Sequence, residues 1–109
     1  MATRTADLQI HVCPKYHAAI ELVGRRWTGA ILSAMLMGAT RFTDIIHAVP
    51  GLSDRLLSER LKELEQAEIV ERIVHPETPV RIEYKLTQKG HELNTAVTAL
   101  SDWAARWSE

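Results

Sequence analysis

The stretch from Arg41 to Leu86 constrains this chain most. It opens with an apolar-periodic run, Thr43-Asp44-Ile45-Ile46-His47-Ala48-Val49, which Pro50-Gly51 must stop. Proline lacks a backbone donor and glycine accepts the turn geometry. Thr43 is a natural N-cap for this first helix, and Asp44 suits its positive end. Ser53 then caps a second helix, predicted to run to about Ala67, with Leu57, Leu61 and Leu64 on one face. At about 100° per residue, Ser53, Asp54, Arg55, Ser58, Glu59, Lys62 and Gln66 point away from those leucines. Two β-type runs follow, Ile69–Val74 and Arg81–Leu86, the second alternating with Ile82, Tyr84 and Leu86 on one face. Pro76 and Pro79 stiffen the loop between them and stop the ladder from extending. Helix, tight turn, helix and stiff hairpin predict a mainly α chain with a small β-hairpin, a winged helix-turn-helix.

That architecture points to double-stranded DNA, with the second helix entering the major groove. Ser53, Asp54, Arg55, Ser58 and Lys62 are the candidate contacts, and Arg55 is the one suited to read a guanine. Arg60 lies at the edge of the leucine stripe, where it is expected to touch a phosphate or brace the wing. His75 and Arg81, at the base of the loop, are expected along the backbone or in the minor groove. A leucine-faced helix after a proline-glycine turn is also common in all-helical proteins. The hairpin, in the right order and at the right distance, is what favours DNA. A winged helix used only to bind another protein stays open.

A net charge of −1 is low for a DNA binder and points to weak non-specific binding, although only the local footprint meets the duplex. Reliance on specific contacts by a dimer is expected, with Glu63, Glu65, Glu68 and Glu71 facing away from the duplex or lying where they repel it. At 109 residues and 46% apolar content, the chain has material for one packed core. No apolar run approaches the ~18 residues that would span a membrane. The N-terminus lacks the apolar region of a secretory signal, so a cytoplasmic location without membrane contact is expected. A single cysteine excludes an intramolecular disulfide.

Residues 1–12 read as a flexible arm and 13–109 as a single domain. Within it, 13–24 and 87–107 are expected to be dimerisation helices, 43–67 the helix-turn-helix and 69–86 the wing. Gly24 should end a short helix that starts at Pro14. Trp27 opens an almost wholly apolar helix, stopped by Gly38, whose place is the centre of the core. Arg25 and Arg26 before it are within reach of a phosphate, and Thr40-Arg41-Phe42 is placed to pair with the wing as a third strand. Thr87 should cap one long terminal helix ending near Trp107, with Leu93, Val97 and Leu100 in one stripe. Trp103 and Trp107, four residues apart, share a face. They must pack back on the core or on a second copy. The second is favoured, because aromatics are enriched in interface cores. Tyr16 on the first helix joins this interface set, and a symmetric dimer would match a palindromic operator.

Several segments carry a resemblance in their order and spacing. They are Cys13-Pro14, Gly24-Arg25-Arg26-Trp27-Thr28, Arg41-Phe42-Thr43-Asp44-Ile45, Pro50-Gly51-Leu52-Ser53, Leu57 to Leu64, and Pro79 to Gly90. From Cys13 to Trp103 the chain resembles the HxlR family of bacterial winged-helix regulators. The resemblance implies a homodimer held by the terminal helices. It also implies a repressor or activator of nearby genes, often responsive to electrophiles, aldehydes or oxidants. It puts Ser53, Arg55, Ser58 and Arg60 on the recognition helix and Arg81 on the wing. Asp54 departs from it, placing a negative charge where phosphates approach.

Some members of that family sense oxidants through a cysteine matching Cys13. A cysteine just before a helix, near Lys15 and His17, sits in the setting where reactive cysteines are found. The available products are a sulfenic acid, a mixed disulfide, an alkylated thiol or a Cys13–Cys13 bridge between subunits. An inert thiol at the interface is the alternative. His11, Cys13 and His17 suggest a metal-responsive regulator instead, but the spacing is loose and a fourth ligand is missing. A Cys13–His17 catalytic pair lacks an orienting acid and an oxyanion hole, so no enzyme and no cofactor is expected. An apolar effector is conceivable in a cleft between the terminal helix and the wing, walled by Trp27, Trp103 or Trp107.

Overall fold

A computed structural model describes residues 9–108. Its elements are α1 (Pro14–Val23), α2 (Thr28–Leu36), α3 (Phe42–Ala48), α4 (Asp54–Gln66), β1 (Val70–His75), β2 (Arg81–Leu86), α5 (Gln88–His91) and α6 (Asn94–Trp107). The chain is mainly helical with one antiparallel hairpin, a winged helix-turn-helix.

Helix α2 is apolar nearly all round and sits at the centre, touching α1, α3, α6 and β2. Its Ile31 and Leu32 join Ile45 of α3, Leu57, Leu61 and Leu64 of α4, and Ile69 and Val70 at the hairpin root in one core. The α4 leucines enter that core from one side of the helix, as their spacing predicts. Ser53 caps α4: its Oγ accepts from the Leu56 N–H at 3.1 Å.

Three local expectations differ from the structure. Helix α3 begins at Phe42, so Thr43 is inside the first turn and exposed, and Arg41 holds the N-cap position without a side-chain cap bond. Phe42 packs against the core, and that burial draws it into the helix. Thr40 does not add a third strand. Its carbonyl accepts from the Tyr84 N–H at 2.7 Å, but the sheet of the described residues has two strands.

The predicted single terminal helix is two. Thr87 caps α5, its Oγ accepting from the Gly90 N–H at 3.1 Å and donating to the Glu68 carbonyl at 2.6 Å. Gly90 lies so close to the hairpin root that an added Cβ would stand 2.3 Å from the Ile69 carbonyl oxygen. These contacts pin α5 to the wing. A tight turn at Leu93, whose N–H donates to the Gly90 carbonyl at 3.0 Å, then redirects the chain so that α6 packs on α2.

Helices α1 and α6 bury no residue fully. The radius of gyration is 17.6 Å, against about 13 Å for a compact chain of this length.

Candidate nucleic-acid interface

The solvent side of α4 presents Ser53, Asp54, Arg55, Ser58, Glu59 and Lys62, all exposed. Arg55 Nε donates to Glu59 Oε2 at 3.2 Å, one turn further along. A solvated pair of this kind is weak, so a guanine edge competes readily for the guanidinium. Asp54 occupies the first turn of α4, where its charge meets the positive end of the helix.

Arg60 is the clearest departure from the sequence expectation. It is buried, and its guanidinium is engaged at the α1–α2 corner rather than against the wing. Its Nε donates to the Arg26 carbonyl at 3.0 Å, and its Nη1 lies 3.3 Å from Glu63 Oε2. Glu63 also holds Arg25, whose Nε is 3.4 Å from Oε1, so Arg25 is not a free phosphate ligand either. Two arginines and one glutamate thus tie the recognition helix to the α1–α2 corner. Burial explains the arrangement, because a guanidinium taken out of water must find acceptors within the fold.

That corner is built on Trp27, which adopts a left-handed backbone with φ 76°. The strain is tolerated because the ring is fixed on both sides. Its edge abuts the helix-turn-helix turn, 3.3 Å from where a Gly51 Cβ would stand, and the Arg26 guanidinium lies 5.4 Å from the ring centroid.

His75 and Arg81 are cross-strand partners at the base of the wing. His75 Nε2 is 2.7 Å from Glu83 Oε1. Arg81 Nη2 is 3.1 Å from Glu77 Oε2, and Arg81 Nη1 is 3.5 Å from Glu83 Oε1. The hydrogen bond from Arg81 holds the Glu77 carboxyl below the usual carboxylate range and raises Arg81. The bond to His75 likewise lowers Glu83. The wing base is therefore internally compensated rather than a free positive edge. The register could have shown part of this, because residues 75, 81 and 83 share one face of a hairpin closed by a five-residue turn segment.

The interface candidates divide. Tyr16, Leu100, Trp103 and Trp107 are exposed, with Trp103 at 55% and Trp107 at 70% of their full accessibility. Leu93 and Val97 are half-buried: Leu93 packs at the margin of the core, and Val97 faces Ser33 and Leu36 of α2 across a shallow cleft. Those two seat the helix on the core of the same chain. Ile10, Val12 and Ile20, which the periodicity of a short polar-looking segment does not mark out, are also exposed.

Cys13 is exposed at the N-cap position of α1, directly before Pro14. Among the described residues no three His, Cys, Asp or Glu side chains converge as a metal site would require, so His11, Cys13 and His17 are not assembled. The apolar recess seen among the described residues lies elsewhere than between the terminal helix and the wing. A cavity of about 500 Å³ lies between the α1–α2 corner and α6, lined by Val23, Trp27, Ala30 and Leu100 among others, without Trp103 or Trp107. No helix is long and apolar enough to cross a membrane among the described residues.

A capped recognition helix with a solvated reading face, locked to its scaffold and followed by a wing, defines a DNA-binding winged helix-turn-helix regulator. The profile of the HxlR-like helix-turn-helix family matches residues 22–109, and the chain belongs to that family. YvaP of Bacillus subtilis strain 168, an uncharacterized helix-turn-helix transcriptional regulator, is 48% identical over 99 residues, 91% of this chain and 92% of YvaP. YodB, a transcriptional regulator of the same organism, is 46% identical over 98 residues, 90% of this chain and 88% of YodB. The reduced form of YodB superposes with a TM-score of 0.78 at 45% identity, covering 91% of this chain and 97% of that one. YodB has also been solved after diamide treatment and bound to a quinone. The oxidized form of the redox regulator HypR superposes with a TM-score of 0.82 at 30% identity, covering 89% of this chain and 99% of that one. The chain is a transcriptional regulator, and its relatives are regulators rather than enzymes.

Proposed function

We propose that the chain binds a palindromic operator as a homodimer and that Cys13 switches it in response to oxidants or electrophiles. The observation that carries this reading is the pair of terminal helices that bury nothing fully and display Tyr16, Leu100, Trp103 and Trp107. Apolar side chains of this size left in water mark an interface, and Cys13 begins one of the two helices that carry them. Residues 13–24 and 94–107 then form the dimer contacts, 43–67 the helix-turn-helix and 69–86 the wing. A closed two-fold pair presents two recognition helices to two half-sites.

The redox half of the proposal leans on the relatives. YodB has been solved reduced, diamide-treated and quinone-bound, and HypR reduced and oxidized. Here the chemistry has one thiol per chain to work with. Diamide would take two electrons and two protons from two Cys13 thiols of different subunits, leaving an S–S bond. A quinone would add directly: the sulfur forms a bond to a ring carbon, and the thiol proton ends on the reduced ring. Either product changes what sits at the start of α1 and hence the dimer geometry.

The test is binding of the purified protein to its own upstream DNA, before and after diamide or a quinone. Tight binding that is lost on treatment, and retained by Cys13→Ser, is the expected result. Binding indifferent to both reagents would remove the Cys13 switch. No binding at low salt would favour a protein-binding role. Arg55→Ala should weaken operator binding by about 1–3 kcal/mol and relax specificity at one base position. A selection from randomised duplexes would show that relaxation or its absence.

A further inference from the structure

The free cations beside the recognition helix are not at the wing base. Arg55, Arg60 and Arg81 each have a carboxylate partner, whereas Lys62 and Arg72 have none within 4.0 Å among the described residues. These two stand opposite each other. Lys62 lines the α4 wall of a groove with Ser58, Leu61 and Glu65, which share one side of the helix at i, i+3, i+4 and i+7. The hairpin wall is Arg72 and Tyr84. They are register partners on the face that also carries buried Val70, so both side chains are turned towards the body and α4. The groove is about 430 Å³ and open on one side.

Its position fixes what fits it. Ser58 belongs both to the groove and to the reading face, one turn beyond Arg55. A helix seated in the major groove, about 12 Å wide, has a sugar–phosphate wall along each flank. The wall on the hairpin side must pass the mouth between α4 and β1. We propose that Lys62 and Arg72, with the Ser58 and Tyr84 hydroxyls, clamp one backbone phosphodiester of the bound duplex, and that Arg72 is the wing's main charged contact. The proposal rests on the DNA-binding reading above. A guanidinium fork and an ammonium on opposite walls match the two unesterified oxygens of a phosphodiester. Glu65 at the far end of the groove carries charge of the same sign as the phosphate, which keeps it at the mouth.

The experiment is duplex binding across 50–200 mM salt, with the protein's own upstream DNA and with a random-sequence duplex of equal length. Each phosphate contact adds about 0.9 to the slope of log K against log salt. Arg72→Gln and Lys62→Gln should each lower affinity for both duplexes by about tenfold or more. Each should flatten the slope by about 2 for a dimer, one contact per subunit. Arg72→Lys should recover most of the slope, Glu65→Gln should tighten both duplexes, and Arg81→Gln should leave the slope unchanged. An unaltered slope in a folded Arg72→Gln protein, or a slope lost in Arg81→Gln instead, overturns the clamp while the wild type still binds. A wild type that binds neither duplex overturns the DNA-binding reading itself.

Discussion

A chain with alanine at both Trp103 and Trp107 is expected to sediment as a monomer and to lose tight operator binding, while its own core still unfolds cooperatively. Both rings lie mostly in solvent in the single chain, so removing them leaves the core of α2, α3 and α4 intact. In a dimer the same rings would be interface anchors, each worth about 2 kcal/mol or more when truncated. Two of them per subunit, lost together, weaken association by at least about a thousandfold. A half-site protein then loses the benefit of two linked recognition helices. Sedimentation velocity across a concentration series reads the first effect, and operator titration reads the second. An unchanged dimer would take α6 out of the interface and leave the exposed tryptophans without a partner.

The second large effect concerns the scaffold. Leu57 is fully buried, one turn above Leu61 and just beyond the exposed reading face. Leu57→Ala deletes apolar contacts and leaves a cavity that the surrounding core cannot collapse to fill, because α4 is held at its start and its middle. Ser53 caps its start, and Arg60 ties its middle to the α1–α2 corner. The expected cost is about 2–5 kcal/mol. For a domain of this size that lowers the melting temperature by roughly 10 °C or more, at about 4–8 °C per kcal/mol. Thermal unfolding followed by far-UV circular dichroism measures it. A shift of only a degree or two would mean that α4 is held by its polar ties more than by its leucines.

The helix-turn-helix and the wing were legible because their signals act over a few residues. Pro50-Gly51 closes one helix, Ser53 opens the next, and leucines at helical spacing mark the buried side. The hairpin was legible from alternation and two prolines, and its second strand falls where the pattern puts it, at Arg81–Leu86. The fate of each charge was not legible. Arg60 reads as a surface residue until Arg26, 34 positions earlier, supplies the carbonyl that its guanidinium needs. Arg81 and His75 read as free cations until the hairpin closes and brings Glu77 and Glu83 against them. Arg72 reads as one more exposed strand residue until α4 sets Lys62 across from it.

The terminal helices show the same division. The apolar face of residues 87–107 follows from periodicity alone. Its break at Leu93 follows from Gly90 being wedged under the Ile69 carbonyl, a contact across 21 positions that no local pattern encodes. Sequence by itself determined the kind and order of the elements and the apolar side of each, because capping, turn chemistry and periodicity are short-range. Tertiary structure decided which cations are consumed inside the fold, which stay free beside the reading face, and where the last helix turns. Those outcomes depend on burial and on partners that only the packed chain brings within a hydrogen bond's length.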